Sequence, residues 1–88
     1  MAIVTGQLSV GTASPIQVNQ PNVSPVWVHI HNNDNTNNLV IGNANVTANT
    51  GMILPKLDSI EIYLHPLDVL YLLASSGTIN ASYLVRNG

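Results

Sequence analysis

The residues best suited to chemistry are the three histidines, and two of them are spaced to act together. His29 and His31 are separated by one residue, so on an extended strand both rings project from the same face. Such a His-x-His pair is half of a zinc site, to which His65 could add a third nitrogen. No carboxylate or thiolate lies at ligand spacing on an adjoining element. Two polar residues on the outward face of an amphipathic strand is therefore the simpler account. Asp34, set among Asn32, Asn33, Asn35 and Asn37, offers the oxygen ligands that calcium accepts. The stretch lacks the glycine and the terminal glutamate of an EF-hand loop, and it carries a single full charge.

The other carboxylates are Asp58, Glu61 and Asp68, and a pair of them would be needed for glycoside hydrolysis. Asp58 precedes a strand and Asp68 sits in a turn, both ordinary places for aspartate, while Glu61 falls on an outward strand face. Trp27, Tyr63, Tyr71 and Tyr83 are the only aromatics, which predicts no aromatic-lined cleft for a sugar. No serine occupies a G-x-S-x-G elbow, and no glycine-rich phosphate loop is present. The residues predict a protein with no catalytic site, no metal and no cofactor.

The elements that position these groups are short strands. Helix-favouring Glu, Lys, Arg and Gln are scarce and no i, i+3, i+4 apolar pattern is sustained. Apolar or alternating runs separated by Gly, Pro, Asn and Ser clusters predict strands at 3–10, 16–18, 26–31, 39–41, 52–54, 59–64, 69–74 and 79–85. A break is expected at Asn19-Gln20-Pro21-Asn22. Val26, Val28 and Ile30 share one face of the third run, and Trp27, His29 and His31 share the other. The run at 69–74 is apolar on both faces, as in a strand covered twice. Ser75-Ser76-Gly77-Thr78 reads as a hairpin turn with Gly77 at positive φ. The fold class expected is all-β, a small antiparallel β-sandwich or jelly-roll-like barrel of seven to eight short strands forming one domain over 1–88.

A chain of 88 residues is marginal on its own, since a domain this short buries only about 60–65% of its unfolded surface. Without cysteine it has no disulfide and no thiolate metal site, which leaves association as the expected support. Charged residues are 7% of the chain, against roughly 25% in an ordinary soluble domain, while hydrophobic residues are 45%. Asn, Ser and Thr take the place of charge, giving a surface that is polar yet inexpensive to desolvate. That predicts a protein with much of its surface against other protein. Lys56 and Arg86 are the only fixed cations, so nucleic acid is not expected as a partner. No apolar run approaches the roughly 20 residues of a membrane span, and no membrane partner is expected. The opening residues lack the basic and apolar regions of a secretory leader, which predicts synthesis in the cytoplasm.

Two features suit contact with a partner. Trp27 and Tyr63, on outward faces, are candidate anchors, since aromatics bury large area at low entropic cost. The polar loop expected at 32–38, with Asn33, Asp34, Asn35 and Asn37, either grips a partner through amide hydrogen bonds or is a plain long connection. The candidate interface residues are thus Trp27, His29, His31, Asn33, Asp34, Asn35, Asn37 and Tyr63.

From the third strand onward the order of features resembles a class of small tailed-bacteriophage virion proteins. The residues that carry the likeness are Val28-His29-Ile30-His31-Asn32-Asn33, Leu39-Val40-Ile41-Gly42, Asn45-Val46-Thr47, Gly51-Met52-Ile53-Leu54-Pro55, Ser59-Ile60-Glu61-Ile62 and Asp68-Val69-Leu70-Tyr71-Leu72-Leu73-Ala74-Ser75-Ser76-Gly77. They span about the last two thirds of the chain. The class usually has Pro-x-Gly-Glu-Ser before the sixth strand, and here Pro55-Lys56-Leu57-Asp58-Ser59 stands instead, which implies a different turn. The resemblance implies a head decoration (cement) protein on the capsid surface of the virion. Such a protein is a homotrimer bound to the major capsid protein, stabilising the shell against the pressure of the packaged DNA. The alternatives are a head-fibre or tail-tip module binding carbohydrate or a receptor, and a small cupin-like metal enzyme if His29, His31 and His65 converge.

Overall fold

Alternation decides the longer strands. The computed structural model describes residues 3–18 and 24–87, so the break expected at 19–22 lies outside the described residues. Eight strands follow in order: β1 (Val4–Val10), β2 (Ile16–Gln17), β3 (Val26–Asn32), β4 (Leu39–Gly42), β5 (Met52–Leu54), β6 (Ser59–Leu64), β7 (Tyr71–Ala74) and β8 (Ile79–Asn87). No helix occurs among the described residues. On β3, Val26, Val28, Ile30 and Asn32 are buried while the residues between them are half-buried; β8 alternates in the same way.

The strands form two four-stranded sheets, in the orders β1-β8-β3-β6 and β2-β7-β4-β5, with every ladder antiparallel. This is the strand order of a jelly roll. The core lies between the sheets, with Val10, Val26, Val28, Ile30, Leu39, Leu72, Ile79 and Val85 essentially sealed from solvent. Of consecutive strands only β4 and β5 are neighbours in a sheet; each of the other connections carries the chain across to the opposite sheet. The 75–78 segment is accordingly a crossing between sheets and not a hairpin turn, although Gly77 does take φ +63°. The polar loop is also shorter than its composition suggests, because Asn32 belongs to β3.

A second, smaller apolar cluster lies on the outside of the β2-β7-β4-β5 sheet. Val40 and Leu73 are cross-strand partners on that outer face, and both are buried. Their cover is Val46, which the 43–51 connection folds back over the sheet beside Tyr71. The connection is held by its own bonds: Val46 N donates to Asn43 O, Gly51 N to Thr47 O, and Thr47 N to Thr50 Oγ1. The doubly apolar β7 is thus covered by the core on one side and by a loop on the other.

Two turns flank β6 and share one shape. Asp58 N donates to Pro55 O at 3.2 Å, and Asp68 N to His65 O at 3.1 Å. In each the third residue is a leucine at positive φ, Leu57 at 57° and Leu67 at 74°, the glycine position of a type II turn. Leu57 thus holds, at a cost in strain, a position where the class that the chain resembles has glycine. Left-handed backbone costs a non-glycine residue about 1–2 kcal/mol, partly offset by the extra freedom glycine gives the unfolded chain. Leu57→Gly and Leu67→Gly are each expected to leave folding stability unchanged or raise it by up to about 1 kcal/mol, read as the urea midpoint.

Candidate interaction surface

The outer face of the β1-β8-β3-β6 sheet gathers half of the residues picked out by sequence. Register sets them in rows across the strands. Tyr63, Trp27 and Arg86 form one row; Glu61, His29, Leu84 and Thr5 the next; Ser59, His31, Ser82 and Gln7 the third. Strand alternation alone keeps these side chains out of the core.

The first row is an aromatic cluster. Trp27 and Tyr63 meet edge to face with centroids 5.0 Å apart, and Tyr63 meets His65 in the same manner at 5.2 Å. The Arg86 guanidinium lies 5.5 Å from the Trp27 ring centre while its Nη2 donates to Glu61 Oε2 at 3.2 Å. Both partners of that ion pair are well exposed, so its contribution is under about 1 kcal/mol. Its effect is to hold an Arg over an indole face, an arrangement common in interface anchors.

Part of the other two rows lines a shallow groove of about 330 Å³ over Ser82 and Leu84 of β8, with His29 and His31 on one side and Thr5 and Gln7 on the other. His31 is oriented by a short chain. Asn33 Nδ2 donates to Ser82 Oγ at 2.7 Å, so Asn33 Oδ1 is left to accept from His31 Nδ1. His65 stands beyond the end of β6 against Tyr63, whose row is two from that of His31, and the three histidines do not converge. Among the described residues no group of three His, Cys, Asp or Glu side chains is placed to hold a metal ion.

The asparagine-rich loop bonds several of its polar groups within the molecule. Asp34 Oδ2 accepts from the backbone of Thr36 and Asn37, and Asp34 O accepts from Leu57 N. Asn37 O accepts from Asn32 Nδ2, and Thr36 Oγ1 donates to Asn35 Oδ1. Of the four loop residues expected to reach a partner, Asn33 is tied to the outer sheet face, Asp34 and Asn37 shape the loop, and Asn35 is exposed. The remaining acids are placed as turn residues: Asp58 Oδ1 accepts from Ser59 N, and Asp68 Oδ2 from His65 N.

Sequence reasoning passed over Arg86 and Leu84 on this surface. The alternation of 79–85 already set Asn80, Ser82 and Leu84 outward, but only the pairing of β8 with β3 brings Arg86 beside Trp27. Comparison of the chain with protein-family models, curated proteins and solved structures finds no match.

Proposed function

We propose that this protein is a structural component of a tailed-phage virion, a decoration protein that binds the outside of the major capsid shell and stabilises it without catalysis. The observation that carries the reading is the outer face of the β1-β8-β3-β6 sheet. It presents a Trp-Tyr-Arg anchor, neutral amides and hydroxyls, and a single ion pair, Arg86 with Glu61. Such a face loses water at low cost, and it sits on a rigid sheet. The ordered motifs shared with small phage virion proteins supply the setting, and jelly rolls are a common unit of viral shells. Each contact is weak, and repetition over a shell supplies avidity. Self-association would add to it.

Glycan binding at a fibre or tail tip needs an open aromatic face. Trp27 and Tyr63 are inclined by 63° and Arg86 lies over the indole, so no flat platform forms. The test is direct. Purified protein mixed with capsids that lack it should co-sediment and raise the temperature at which those capsids rupture. Trp27, the only tryptophan, should shift its emission to the blue as it is buried. Trp27→Ala should weaken binding by about thirtyfold, the effect of losing an interface hot spot. Capsids that neither bind the protein nor gain heat resistance would sink the reading.

A further inference from the structure

The flank formed by β5, β6 and the two turns of β6 is the apolar side of this molecule. Among the described residues, large hydrophobics are exposed at Ile3, Val4, Met52, Ile53, Leu57, Tyr63 and Leu67, and all but the first two lie on β5, β6 or the turns of β6. Met52 is the cross-strand partner of buried Ile41 yet is 48% exposed, and Ile60 and Ile62 on the core face of β6 are only partly buried. The core is open here. β6 is also a sheet edge among the described residues: it pairs with β3 through six consecutive residues without a bulge, and it contains no proline and no lysine. Its far side offers the backbone donors and acceptors of Glu61 and Tyr63, which an extended strand fits best, while the Ser59 and His65 amides at its ends are held by Asp58 Oδ1 and Asp68 Oδ2.

We propose that the occupant is β6 of a second copy of this chain, paired antiparallel about a two-fold axis at Ile62. In antiparallel pairing, residues directly opposite share a face, so the axis must pass beside one residue of the strand. An axis at Glu61 would set that carboxylate against its own copy. An axis at Ile62 sets Ile62 against Ile62 and Ile60 against Leu64 on the core side, and Glu61 against Tyr63 on the outer side. The same register carries the Pro55-Lys56-Leu57-Asp58 turn of one copy to the His65-Pro66-Leu67-Asp68 turn of the other. Leu57 then meets Leu67, and Lys56 comes toward Asp68, at both ends of the ladder. This gives the strained, exposed leucines a purpose that glycine would not serve. The product is one continuous eight-stranded sheet built from two four-stranded ones. It holds whatever the outer sheet face docks on.

Light scattering across a concentration series should give twice the 9.4 kDa mass of one chain. The Leu57→Gly/Leu67→Gly double variant should keep the wild-type melting temperature or exceed it, yet raise the dimer dissociation constant at least about tenfold, a loss of roughly 1.4 kcal/mol. Because the chain has no cysteine, a Glu61→Cys/Tyr63→Cys double variant should oxidise to a covalent dimer, whereas Glu61→Cys alone should not. Any of three results overturns the pairing: a wild type that stays at the mass of one chain or runs as a trimer, a glycine double variant that dissociates like wild type, or a cysteine pair that fails to cross-link.

Discussion

Asn32→Asp should destabilise the fold by about 3–5 kcal/mol, the cost of an uncompensated buried charge. Asn32 is completely buried at the end of β3, where a polar residue would ordinarily be a liability. Its amide is fully used. Nδ2 donates to Asn37 O at 3.0 Å and to Leu54 O and Pro55 O at 3.2 Å, and Oδ1 accepts from Asp34 N at 2.9 Å. One side chain thus joins β3 of one sheet to the end of β5 in the other and fixes the start of the 33–38 loop. Aspartate keeps the shape but points an acceptor at three carbonyl oxygens. Asn32→Ala removes the clash and leaves those carbonyls and the Asp34 amide unmet, costing about 2–4 kcal/mol. A domain of 88 residues has a stability of only about 4–13 kcal/mol, so the aspartate variant should melt at least roughly 15 °C lower. Equal melting of wild type and Asn32→Asp would contradict this assignment.

Gly51→Ala is expected to cost about 2–3 kcal/mol by overpacking. A Cβ there would come within 2.2 Å of Val40 Cγ1, 2.5 Å of Val46 Cγ2 and 2.9 Å of Ile41 O. The valine methyls can rotate away, but the Ile41 carbonyl belongs to β4 and cannot. Relief requires the 43–51 connection to lift, uncovering Val40 and Leu73. Calorimetry should show a lower melting temperature and hydrogen exchange should show faster exchange in β4 and β7, and unchanged exchange in β3 and β8 would localise the damage. An Ala variant as stable as wild type would mean that Val46 does not seal the sheet.

Much of this was legible in the chain. The alternation at 26–31 separates the faces of β3 correctly, and the doubly apolar run at 69–74 does end in a strand covered on both sides. Partners were not legible, because a jelly roll sends the chain to the other sheet at almost every connection, so nearness in sequence misleads about pairing. That is why 75–78 resembled a hairpin. Asn32 was hidden by the asparagines after it, although its parity with Val26, Val28 and Ile30 already set it inward. Leu57 stands out only as a departure from the class that the chain resembles, and neither it nor Leu67 reveals a left-handed residue, since leucine carries no turn preference. The groups that could do chemistry were separated by register: His29 and His31 share a face, while His65 sits rows away against Tyr63.

The central proposal, a jelly roll docked by the outer face of its β1-β8-β3-β6 sheet on a capsid shell, is tested most directly by cryo-electron microscopy of capsids carrying the bound protein. The expected reconstruction shows eight-stranded density on the shell exterior, with Trp27 and Arg86 against the major capsid protein. Density confined to the tail or fibres, or a shell whose exterior is bare, would contradict it.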